Sequence, residues 1–154
     1  MTRTEKILFS LDIILVAIMG FLQSSSLMYF YGVKINISMV FLIVLIFSVK
    51  NYWQYSILLL VSLISLKYFS APSKELVIFG LLMFFAFNFR KMFSEHKLFS
   101  ITILVILLTP IYYLFIDYKF IFTDFNIFIK EMFLNIVIAA IFGYLYQHKA
   151  YEKI

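Results

Sequence analysis

The chain has 154 residues, 64% of them hydrophobic and 14% charged, with a formal net charge of +5 and a mean hydropathy of +1.02. A soluble domain carries about half apolar and about a quarter charged residues, so the surplus apolar surface here must face lipid. About 20 helical residues cross about 30 Å of hydrocarbon, so a chain of this length holds at most about seven spans and leaves no room for a separate soluble domain.

The Lys and Arg residues lie between the apolar runs and do not cluster on one stretch, which makes them topology signals and argues against a nucleic-acid surface. The absence of cysteine removes disulfides, thiolate metal sites and cysteine nucleophiles. Together these features predict an all-α protein, a polytopic transmembrane bundle of about six helices, with residues 1–154 forming one integral membrane domain.

The first apolar run, Ile7 to Leu22, follows Arg3 and Lys6. This is the charge pattern of a signal peptide, with Ser24-Ser25-Ser26 offering small residues for cleavage, but the apolar segments that follow favour an uncleaved first helix. Asp12 and Gln23 fall within about 20° of one helical face, with Val16 and Met19 on the same stripe. They are expected to mark a helix-packing or partner interface. Asp12 is read as a carboxyl bonded to another helix or hydrated near the membrane boundary, the sharper alternative being a proton or cation site.

The second and third runs, Ile35 to Val49 and Tyr52 to Phe69, are separated only by Lys50-Asn51. A tight antiparallel connection is expected there, with Tyr52, Trp53 and Tyr55 at headgroup level. The fourth run, Leu76 to Phe89, is short. It reaches full length if Ser70 caps it, Pro72 occupies its first turn and Arg90 and Lys91 snorkel at the far end. Lys67 is also expected to snorkel.

The fifth run, Leu98 to Ile116, contains Thr109-Pro110, which predicts a kink stabilised by the Thr hydroxyl. The sixth, Ile127 to Tyr146, carries a ridge of Glu131, Asn135, Ala139 and Gly143, continued by Gln147, at four-residue spacing. Small residues at that spacing let backbones approach, either within the subunit or against a partner.

With the N-terminus inside, Arg3, Lys6, Lys50, Arg90, Lys91, Lys97, Lys149 and Lys153 fall on one side and Lys34, Lys67, Lys74, Lys119 and Lys130 on the other. That bias predicts both termini in the cytoplasm.

Chemistry-bearing constellations are missing. His96 and His148 lie in different connections without a ligand set, so no metal site is expected. Asp117 and Asp124 are the nearby acidic pair. The stretch Asp124-Phe125-Asn126-Ile127 is faintly similar to the second-aspartate region of signal peptidase II, but the companion Asn-Asp-Arg region is absent and that match is rejected. There is no Asp-rich repeat to hold Mg²⁺ on a diphosphate and no Gly-rich phosphate loop. No catalytic residue and no cofactor is expected. Nor does any segment present a convergent set of polar groups, so a small-molecule pocket would have an aromatic and aliphatic lining and hold no vitamin.

The run Leu22-Gln23-Ser24-Ser25, followed by Tyr31-Gly32-Val33-Lys34-Ile35-Asn36-Ile37, resembles the rod shape-determining protein MreD family. That family often has Leu-Gln-Ser here, then Gly-Val/Ile-Lys/Arg-Pro-Asp/Asn-Leu leading into an apolar second helix. Ile35 stands at the usual proline. Leu134-Asn135, in the run Leu-Asn-Ile-Val-Ile, is similar as well.

The resemblance implies a noncatalytic subunit of the complex that guides peptidoglycan synthesis during cell elongation, in the bacterial cytoplasmic membrane. Its implied partners, besides membrane lipid, are a bitopic MreC-like subunit, the rod-complex peptidoglycan synthase and an actin-like MreB filament, with no nucleic acid. The alternative is the substrate-binding membrane subunit of an energy-coupling-factor vitamin transporter. Such subunits usually couple through an Ala-x-x-x-Ala ridge on helix 1, where this chain has Ala17 alone.

Overall fold

A computed structural model of the chain describes residues 3–25, 29–30, 33–66, 73–93 and 97–151, with backbone only at 29–30, 34 and 147–151. Six helices are present among them: α1 (Arg3–Ser24), α2 (Ile37–Ile46), α3 (Tyr52–Leu66), α4 (Lys74–Phe89), α5 (Lys97–Thr123) and α6 (Phe125–Tyr151). A minimal antiparallel hairpin, β1 (Tyr29–Phe30) and β2 (Val33–Lys34), joins α1 to α2, pairing Tyr29 with Lys34 and Phe30 with Val33. The protein is an all-α bundle apart from that hairpin.

Side-chain contacts fix the helix directions. Gln23 of α1 meets Asn36 ahead of α2, while Asp12 meets Tyr146 near the end of α6. Phe41 of α2 packs on Phe142 and Tyr146, and Gly143 lies against Leu98 and Ile101 at the start of α5. Tyr55 stacks on Phe87, and Gly20 touches Ser65. So α1, α3 and α5 run one way and α2, α4 and α6 the other. The start of α1 and the end of α6 therefore share the end of the bundle that carries the α2–α3 link.

Helices α1 and α5, and Phe125–Tyr146 of α6, are each long and apolar enough to cross a membrane. Large apolar side chains are exposed on every helix except α2, including Ile14, Leu60, Leu81, Leu107 and Phe133. A surface of this kind is stable only in lipid, and the chain is a membrane protein.

Helix α2 departs from the expected span over Ile35 to Val49. Its ten residues measure about 15 Å, half the hydrocarbon thickness, and every one of them is buried. A helix that is apolar all round belongs in a core, and α2 forms the centre of this one, against Val16, Leu58, Met83, Val105 and Ala139. It stops at Ile46 without a Gly or Pro. Ser48 and Phe47 turn back onto the carbonyls of Leu45 and Val44. The Arg90 guanidinium takes the carbonyls of Ile46, Val49 and Lys50, supplying the donors that further helical turns would have given. Arg90 is thus turned onto α2, where the sequence suggested a snorkelling side chain.

Two further expectations are corrected. The N-cap position of α4 is Ser73, in extended conformation, and the helix starts at Lys74. Lys67, Ser70 and Pro72 lie outside the described residues. Helix α5 keeps helical torsions through Pro110 and breaks at Asp117 (φ −152°, ψ 85°). The Asp117 carboxylate accepts the Lys119 N–H at 3.1 Å, so it acts as the N-cap of a new helical segment. The Thr109 hydroxyl is buried without a hydrogen-bond partner among the described residues, so it does not bond the backbone of its own helix.

Candidate functional site

A buried polar cluster forms where Ile35 and Asn36 (φ −84°, ψ 57° at Asn36) deliver the chain into α2. Asn36 is the N-cap residue of that helix, yet its side chain makes no capping bond. It points outward to three other helices. Its Oδ1 accepts from Gln23 Nε2 of α1 at 3.1 Å. Its Nδ2 donates to Glu131 Oε1 of α6 at 2.5 Å and, more weakly, to the Tyr113 hydroxyl of α5 at 3.4 Å. Its backbone N–H donates to Asn135 Oδ1 at 3.2 Å.

Gln23 then does what the Asn36 side chain does not: its Oε1 accepts the Ser38 N–H at 2.8 Å, capping the first turn of α2 from another helix. The Tyr113 hydroxyl lies 2.8 and 2.7 Å from the two Glu131 oxygens and donates to that carboxylate. Gln23, Asn36, Ser38, Glu131 and Asn135 are all buried. Polar groups at this depth are costly unless bonded, and mutual satisfaction holds the four helices in one register. Asn135 Nδ2 and Ser38 Oγ are buried without a hydrogen-bond partner among the described residues.

As acid–base chemistry the cluster reduces to Glu131 and Tyr113, since carboxamides do not titrate near neutral pH. Its remaining capacity is hydrogen bonding. No single segment presents a convergent polar set, as expected from the sequence, but polar side chains from α1, α5, α6 and the start of α2 converge in space. Gln23, Glu131 and Asn135 stood out helix by helix, but their convergence did not, because no single segment carries more than two of the cluster's polar side chains.

The structure therefore gathers Gln23, Glu131 and Asn135 into one place and leaves the other sequence-marked residues elsewhere. Asp12 lies at the opposite level of the bundle, accepting from the Tyr146 hydroxyl at 2.7 Å. Ala139 is buried in the core, and Gly143 is buried against α5, where an added Cβ would stand 3.3 Å from Ile101 Cδ1. The side chain of Gln147 lies outside the described residues.

Sequence reasoning missed Asn36 as the hub and Tyr113 as the partner of Glu131. The available signal for Asn36 was an amide flanked by Ile35 and Ile37 at the head of an apolar run. It also missed Gly20, where an added Cβ would lie 2.5 Å from Ser65 Cβ, the close helix approach in the α1–α3 pair.

Among the described residues no three His, Asp or Glu side chains come together. Asp117 and Asp124 are each exposed and engaged locally, the latter with the Thr123 hydroxyl at 3.1 Å. His96 and the side chain of His148 lie outside the described residues. In comparisons with known proteins, no family model, no curated protein and no solved structure matches this chain.

Proposed function

We propose that the protein is a noncatalytic membrane subunit of the bacterial elongation complex, of the MreD type, that guides peptidoglycan synthesis from the cytoplasmic membrane. The observation that carries this reading is where the residues behind the resemblance lie. Gln23, Asn36 and Asn135 come from three separate stretches of sequence and are bonded to one another in the buried cluster. Residues shared for the sake of a fold are expected to meet in this way, since a polar network inside a bundle fixes helix register.

A subunit of this kind acts by holding partners. Its lipid-facing helices offer surface to a bitopic MreC-like subunit and to the peptidoglycan synthase, and its cytoplasmic loops face an actin-like filament. Depletion tests the reading. Loss of the protein rounds or widens rod-shaped cells without impairing vitamin uptake, and the wild-type gene restores shape. Normal cell width after depletion would contradict it.

One observation favours the second reading, the substrate-binding subunit of a vitamin transporter. Asn135 Nδ2 and Ser38 Oγ have no hydrogen-bond partner among the described residues at the head of α2, and a bound polar molecule would satisfy them. Mass spectrometry of the purified, denatured protein distinguishes the two. A vitamin retained in stoichiometric amount moves the transporter to first place; its absence from protein purified out of vitamin-rich medium leaves the scaffold there.

A further inference from the structure

At the end of the bundle opposite the polar cluster, the α2–α3 link and the last turn of α4 meet around Arg90. Nη1 donates to the carbonyls of Ile46 at 3.0 Å and Val49 at 2.5 Å, and Nη2 to that of Lys50 at 2.9 Å. The guanidinium carbon lies 4.0 Å from the centre of the Phe87 ring, which itself stacks on Tyr55. All of these partners are neutral. They orient the positive charge and leave it uncancelled, and two of the five guanidinium N–H groups have no acceptor among the described residues.

Lys50, whose carbonyl is one of the acceptors, and Lys91, next in the chain to Arg90, are both exposed. None of the three cations is in an ion pair within the described structure. Like charges brought together repel, and the repulsion grows at the edge of a low-dielectric medium, so the arrangement is complementary to an anion. Trp53 and Met92 are the most exposed apolar side chains beside it, at 77% and 78%, with Tyr52 and Phe89 about half exposed. Aromatic and apolar tips around basic groups at the ends of membrane helices match the boundary between phosphate and acyl chains.

We propose that this patch binds the headgroup of an anionic phospholipid. The phosphodiester bridges Lys50, Lys91 and the open N–H groups of Arg90, and the glycerol and upper acyl carbons lie against Trp53 and Met92. Occupation closes the end of the bundle over the C-terminus of α2 and neutralises charges that the fold holds together. A free phosphate ion shares the charge but has nothing to place against Trp53 and Met92.

Trp53 is the one tryptophan of the chain, so its fluorescence reports this patch alone. The full-length protein is reconstituted in phosphatidylcholine vesicles containing a small fraction of brominated phosphatidylglycerol or, separately, brominated phosphatidylcholine. Wild-type Trp53 is quenched more strongly by the brominated anionic lipid, corresponding to about a tenfold tighter association, as expected for one or two effective lysine contacts.

The double variant Lys50→Gln, Lys91→Gln keeps the Arg90 carbonyl contacts and its fold, which its thermal unfolding verifies, and loses the preference. Lys119→Gln, Lys130→Gln, at the other end of the bundle, retains it, and inorganic phosphate does not relieve the quenching. Equal quenching by the two lipids, a preference that survives in the folded Lys50/Lys91 double variant, or relief by inorganic phosphate would each overturn the proposal.

Discussion

Asn36 concentrates the energetics of the bundle in one side chain. Its carboxamide serves Gln23, Glu131 and Tyr113 at once, and its backbone serves Asn135. Asn36→Ala removes the acceptor of one buried amide and a donor to one buried carboxylate, and a buried polar group left without its partner costs about 1–3 kcal/mol. A clear fall in the midpoint of thermal unfolding in detergent is expected. Ser24→Ala, which removes an exposed hydroxyl bonded to the Phe21 carbonyl one turn back, is expected to stay within about 0.5 kcal/mol of wild type.

The two packing glycines differ by the same kind of argument. A methyl at Gly20 meets the Cβ of Ser65, which cannot move without its backbone, whereas a methyl at Gly143 meets the flexible tip of Ile101. Gly20→Ala is therefore expected to reduce folded yield from membranes much more than Gly143→Ala. Equal yields would show that α1 and α3 separate easily.

At the scale of elements, α2 is a short buried rod gripped at both ends, by Gln23 and Asn135 around its start and by Arg90 beyond its finish. The positions of α1, α3, α5 and α6 were legible because charges and turn residues bound long apolar runs in the sequence. The length of α2 was not, since nothing local marks Ile46 as its last residue. The decisive group is a guanidinium 44 positions away. Glu131 and Asn135 stood out as polar residues in an apolar helix, but their partners Tyr113 and Asn36 belong to segments whose approach is tertiary.

Arg90→Lys keeps the charge and cannot span three carbonyls, so the exposed Lys50–Asn51 link is expected to be cut by trypsin several times faster than in wild type. An unchanged rate would mean that the contacts to Ile46, Val49 and Lys50 do not hold the link closed. On α6, Gly143→Leu is expected to lower recovery of folded protein far more than Ile141→Leu, which faces outward. Phe142 is no neutral comparison, because its ring meets Phe41 edge-on at 5.3 Å.

For the whole molecule, alternating helix directions put the start of α1 and the end of α6 at the end that holds Lys50, Arg90 and Lys91. The positive-inside bias predicts that this end faces the cytoplasm. In this cysteine-free chain, cysteines introduced at Thr2 and Glu152 are expected to be shielded from an impermeant thiol reagent in intact cells and labelled after permeabilisation. Labelling of either in intact cells would invert or break the topology.

The elongation-complex reading is tested most directly by its company in the membrane. Affinity purification of the tagged chain from native membranes in mild detergent, followed by mass spectrometry, is expected to recover a bitopic MreC-like subunit and a peptidoglycan synthase. Recovery of both should fall when Asn36→Ala destabilises the bundle. Recovery of a pair of cytoplasmic ATPases with a coupling membrane subunit, and no cell-wall enzyme, would contradict the account and identify the transporter in its place.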